Sequence, residues 1–152
     1  MKYCVKVILF FALVVLLAAC ASAPNFNEVK NRNWLLAEVR FGQEIIAIDR
    51  SRQEEGLGEI FTLRFDDERI SGTGAPNRYF APYALANRQG VSIGIIAGTQ
   101  MASLFEPEDF KEYEYFTWLH NVERWNLVEG NLELYAAGSD DSQVVLIFAP
   151  AE

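Results

Sequence analysis

Strict period-two alternation of apolar and polar residues constrains this chain most. Phe61-Thr62-Leu63-Arg64-Phe65, Val91-Ser92-Ile93-Gly94-Ile95 and Leu132-Glu133-Leu134-Tyr135 each place one face in a core and the other toward solvent. Half-buried strands of this kind build antiparallel sheets. Trp34 to Phe41 reads as a first strand, and the continuous apolar run Val144 to Phe148 as a central strand covered on both faces. Turn residues punctuate the runs. Glu129-Gly130-Asn131 joins Trp125–Val128 to Leu132–Tyr135, Gly138 to Ser142 makes a second turn, and Asp66-Asp67-Glu68 a third. These acidic clusters lack the spaced ligands of a calcium loop, so they read as solvated hairpin ends.

One segment departs from the alternation. Residues 106–122 carry Pro107 near the start, Glu108 and Asp109 in a first turn, and Phe110, Tyr113, Phe116 and Leu119 at helical spacing. A single amphipathic helix there would cap the sheet's core. The expected fold class is α+β, mainly antiparallel: a compact β roll or partly open barrel with one packed helix.

The N-terminus has a different character. Lys2 and Lys6 precede an apolar run, Val7 to Ala19, too short to span a bilayer comfortably, and Leu17-Ala18-Ala19-Cys20 resembles the lipobox of a bacterial lipoprotein. The resemblance implies a signal peptide over residues 1–19, a lipidated Cys20 with a short tether over 20–30, and one domain over 31–152. Cleavage would remove Cys4 and both signal lysines, leaving 11 basic residues against 21 acids, a net charge of about −10. No thiol would remain to pair, so stability has to come from core packing.

Charge narrows the partners. The arginines are scattered among acids rather than gathered in a basic patch, which excludes nucleic acid as the expected partner. Net acidity also argues against an anionic membrane surface, so attachment would rest on the acyl chains. Ala21, with no aspartate behind the anchor, favours by resemblance to sorted lipoproteins the outer membrane, periplasmic face. At about 3 Å per residue the tether Ala21 to Asn27 would hold the domain some 20 Å off the lipid.

Catalytic patterns are weak. Gly90-Val91-Ser92-Ile93-Gly94 matches a nucleophile motif, with Asp109 and His120 following in order, but Ser92 falls inside an alternating strand and not on a strand-to-helix elbow. His120 is the one histidine, placed to meet the carbonyls at a helix end. No catalytic residue, metal site or cofactor is expected.

Several phrases in order are similar to the META domain, or HslJ-like, family of bacterial envelope proteins. These are Asn33-Trp34-Leu35-Leu36, Phe61 to Phe65, Ser71-Gly72-Thr73-Gly74-Ala75-Pro76-Asn77-Arg78-Tyr79, Ile96 to Ala102 and Glu112 to Leu119. The family's two motif cysteines are replaced by Pro76 and Ser103, so no thiol role carries over. Gly72, Asn77 and Tyr79 match the motif loop and read as structural, an Asn satisfying backbone groups in a tight turn. The resemblance implies a β roll or partly open barrel with one helix, and a non-enzymatic lipoprotein acting as a protein-interaction or structural module in envelope maintenance or stress tolerance. The alternative is a carrier of lipid or another hydrophobic ligand, with Phe110, Phe116 and Trp118 lining a cavity or partner surface. The expected partners are the membrane, through the N-terminal lipid on Cys20, and an envelope protein or hydrophobic ligand.

Overall fold

The computed structural model describes residues 24–50, 59–102, 107, 109–138 and 142–151. The segment expected to be a signal peptide and Cys20 lie outside them. The alternating runs form β1 (Asn33–Phe41), β2 (Glu44–Ala47), β3 (Thr62–Phe65), β4 (Arg69–Thr73), β5 (Arg78–Ala86) and β6 (Gly90–Ile93). There follow β7 (Ala97–Gly98), the helix α1 (Glu112–His120), β8 (Val122–Val128), β9 (Asn131–Ala137) and β10 (Gln143–Pro150). Among the described residues no helix is long and apolar enough to cross a membrane.

All strand pairs are antiparallel. Neighbours run β10-β9-β8-β6-β5-β4-β3-β1, and β1 pairs with β10 from Trp34↔Pro150 to Phe41↔Val144, which closes an eight-stranded barrel. Of the two forms the sequence allows, the chain takes the barrel, and it is closed rather than partly open. Strand β2 adds outside the ring on the second half of β1, and β7 on the first half of β5. The run at β10 behaves as a covered strand: Val144, Leu146, Ile147 and Phe148 are all buried.

The turns follow their residues. Glu129 and Gly130 both take positive φ, +52° and +84°, and join β8 to β9 as a two-residue hairpin; this backbone twist matches the strands, and Gly130 adopts it without a Cβ penalty. Asp66 organises the β3–β4 turn by accepting from the backbone N–H groups of Glu68 and Arg69 at 2.9 and 2.7 Å, which holds its carboxyl below the usual range. Asp67 pairs with Lys30 at 2.8 Å. No metal-binding cluster of acids, His or Cys occurs among the described residues.

Both barrel ends are filled by aromatic side chains. At one end a short 3-10 turn, Phe26–Glu28, inserts Phe26 against Phe65, Tyr83 and Trp125, with ring centroids 4.9 to 5.9 Å apart. Val29 is fully buried beside it and its carbonyl accepts from Trp34 Nε1 at 2.9 Å. The folded unit therefore begins before Asn31, inside the segment expected to be tether. At the other end, where β3 and β5 start, α1 covers Phe61 and Tyr79.

The helix is shorter than expected from residues 106–122, and turned. It starts at Glu112, because Lys111 is extended and Glu114 reaches back to its N–H at 2.8 Å to close the first turn. Asp109 and Phe110 precede it. Phe110 is drawn into the core by Phe61, at 4.9 Å, and by stacking on Trp118, at 5.5 Å. With that start, the buried positions are Tyr115 and Leu119, while Tyr113, expected inside, is 69% exposed. His120 ends the helix with Nδ1 3.2 Å from the Gly94 carbonyl.

Candidate functional site

The motif loop between β4 and β5 is held from the helix and from the segment that follows β7. Asn77 is 6% exposed, and its amide makes four hydrogen bonds, the full capacity of the group. Its Oδ1 accepts from Thr99 Oγ1 at 2.9 Å and Met101 N at 2.6 Å. Its Nδ2 donates to Met101 O at 3.2 Å and to Glu112 Oε2 at 2.6 Å. The other oxygen of Glu112 accepts from the backbone N–H groups of Ala75 and Asn77 at 2.5 and 2.8 Å. Three separate stretches of chain thus meet at one amide and one carboxylate. Gly74 lies beneath Glu112, where a Cβ would come within 2.4 Å of Oε1.

Behind the loop sits a second polar cluster. Tyr79 and Tyr115 hydroxyls stand 2.9 Å apart and 2.8 and 3.0 Å from the Thr62 carbonyl. Burial pushes both phenols above their ordinary pKa. The Thr62 carbonyl is free for them because the β3–β4 ladder opens there: Thr73 N donates to Thr62 Oγ1 at 2.9 Å instead. Gly72 makes the opening possible. A Cβ at Gly72 would lie 2.0 Å from the Thr62 oxygen and 2.9 Å from the Tyr79 ring. Outside this opening lies a groove of about 310 Å³ bordered by Asn33, Glu59, Arg64, Ser71 and Thr73.

Gly72 and Tyr79 are thus paired across β4 and β5, with Asn77 in the loop that joins the two strands. Of Phe110, Phe116 and Trp118, the first and last meet, the fully buried Phe110 stacking on Trp118, which also contacts Phe41 at 5.9 Å, while Phe116 packs separately on Tyr79 at 5.2 Å and on Tyr115 at 5.8 Å. Ser92 is on β6 opposite Ala84, in a strand and not on an elbow, and Asp109 lies ahead of the helix that carries His120. Ser103 falls outside the described residues, as does Cys20.

Sequence reasoning assigned no role to Glu112, Tyr115 or Arg50. Arg50 donates to the carbonyls of Leu36 and Ile60, and its burial lowers its pKa against the opposing pull of Glu59. The sequence held no signal for Glu112, since the helix expected over 106–122 put Glu108 and Asp109 in its first turn and Glu112 beyond it.

Comparison with known proteins agrees with this architecture. A family model described as META domain matches residues 27–151. A protein from Burkholderia xenovorans solved by NMR is similar in structure, with a TM-score of 0.60 at 21% identity over 86% of this chain and 93% of that one, a likeness of fold alone. No curated protein matches the chain.

Proposed function

This chain belongs to the META domain family, and we propose that it acts as a non-enzymatic protein-interaction or structural module of the bacterial envelope. In this reading it is anchored through a lipidated Cys20 to the outer membrane and faces the periplasm, serving envelope maintenance or stress tolerance. The observation that carries the reading is how the barrel interior is occupied. Phe61, Phe110, Tyr115 and Phe148 pack across it at tilted and edge-on angles with centroids 4.9 to 6.4 Å apart, in the space a hydrophobic ligand would need. The polar groups of the motif loop support the same reading, since Asn77, Tyr79 and Glu112 bind the protein's own backbone and one another.

Two measurements test it. Cys20→Ala in the full chain should abolish acylation and shift the protein out of the detergent-resolved lipoprotein fraction, because acyl burial supplies the strong membrane attraction. Unchanged acylation would refute the anchor. A hydrophobic dye titrated against the parent should find no saturable interior site; tight binding competed by a fatty acid would replace this reading with that of a carrier.

A further inference from the structure

None of the chain's 21 acidic residues lies between Arg69 and Ala102, while three of its 13 basic residues do: Arg69, Arg78 and Arg88. In the fold that gap in sequence becomes a place. The stretch builds β4, β5, β6 and β7, with β5 paired to each of the other three, so these strands carry no carboxylate of their own on one outer side of an otherwise acidic barrel; at its margin Asp66, in the turn before β4, lies 3.4 Å from Arg69 Nε. Its side chains are apolar between the cations. Phe80 is 50% exposed and Ile95 83%, Pro82 and Ala84 are exposed along the same strand, and the Arg69 guanidinium lies 5.8 Å from the centre of the Phe80 ring. Charges farther apart than about 8 Å are screened at physiological salt, so beyond the Asp66–Arg69 pair this side presents the positive sign of Arg78 and Arg88 whatever the net charge.

We propose that the outer face of β4–β7 rests on a phospholipid surface containing anionic headgroups. Phe80 and Ile95 enter the headgroup layer, and Arg78 and Arg88 take the phosphates, for which guanidinium groups offer paired donors. The proposal rests on the lipid-anchor reading for its strength. The chain enters the barrel at Phe26, which touches Tyr83 of β5 together with Phe65 of β3 and Trp125 of β8, so it arrives at one end of the barrel of which this face is a side. From a lipidated Cys20 to Pro24 there are four peptide steps, a reach of at most about 14 Å. A contact too weak to hold a free protein becomes effective at the local concentration such a leash imposes. Apolar side chains that protrude beside arginines suit a deformable lipid surface.

Hydroxyl-radical footprinting of the full chain tests the proposal, with the protein reconstituted in vesicles of phosphatidylcholine alone or mixed with phosphatidylglycerol. Phe80 and Ile95 should be protected several-fold on the mixed vesicles, while Ile45 and Tyr113, at 60% and 69% exposure elsewhere on the surface, stay reactive. Arg78→Gln and Arg88→Gln, both at exposed positions, should each weaken the phosphatidylglycerol-dependent protection about fivefold. Equal reactivity of Phe80 on both vesicle types overturns the proposal. Protection without vesicles that grows with protein concentration also overturns it, assigning the face to a second copy. Mass spectrometry of the same samples separates the two readings: acylated Cys20 with unprotected Phe80 removes the docking and keeps the anchor. Unmodified Cys20 with protected Phe80 does the reverse.

Discussion

Asn77→Asp changes one NH2 for one oxygen and nothing in shape, yet it places a second carboxylate against Glu112 across the present 2.6 Å contact. Two unit charges about 4 Å apart, after the pair relaxes, repel by roughly 4 kcal/mol at the effective dielectric of a protein surface. The charge-assisted bond to Glu112 is lost as well, about 1.5 to 3 kcal/mol, with part of the total recovered by entering water. A net loss near 5 kcal/mol at neutral pH is comparable to the whole stability of many domains. The sign of its pH dependence is the sharper expectation. The introduced carboxyl is held protonated to higher pH in the folded state than in the unfolded chain. The variant therefore keeps its stability below the ordinary carboxyl pKa of about 4 and loses it as pH rises through the folded value. Urea unfolding at mildly acidic and neutral pH, with Asn77→Ala as a reference lacking the second charge, measures this. An Asn77→Asp loss that is equal at both pH values, or below about 1 kcal/mol at neutral pH, would refute the electrostatic account of the staple.

Three further outcomes follow from the packing. Phe110→Ala should cost about 3 to 5 kcal/mol in chemical denaturation, and Phe116→Ala clearly less, because Phe110 is fully buried and Phe116 only partly; the reverse order would place the cap of the barrel elsewhere. Gly72→Ala should destabilise more than Gly74→Ala, since the added methyl meets a backbone carbonyl at Gly72 and a movable carboxylate at Gly74; equal melting temperatures would contradict this. Tyr79 and Tyr115 both have raised phenol pKa values in the fold. Their contribution is complete below the unfolded value of about 10 and falls above it, by about 1.4 kcal/mol per pH unit for each. Tyr79→Phe should therefore flatten the alkaline fall in stability, and a slope equal to the parent's would show that these hydroxyls do not titrate with unfolding.

The strands were legible because alternation is local: Phe61 to Phe65 and Leu132 to Tyr135 state their buried face within five residues. The helix was legible in kind but not in phase. Helical spacing from Phe110 put Tyr113 inside, whereas the chain turns only after Phe110 has entered the core, and Tyr115 takes the inner position because its hydroxyl finds the Thr62 carbonyl. Phe26 was hidden by its neighbours, since Pro24, Asn25 and Asn27 give the look of a tether to a segment whose one ring plugs the barrel. The role of Asn77 was readable as a turn residue satisfying backbone, but its partner Glu112 stands 35 residues away, and no short-range pattern pairs them.

The seam between β1 and β10 has a kinetic meaning. It joins Trp34 to Pro150, so the ring can shut only after nearly the whole polypeptide has been ordered, a topology of high contact order that folds in milliseconds to seconds and not microseconds. Until β10 arrives, β1 and β9 each present a bare row of amide and carbonyl groups ready to recruit another chain. A polypeptide ending before Gln143 is thus not a smaller barrel but an open sheet with two adhesive margins, and aggregation, rather than a soluble intermediate, is the fate the seam prevents.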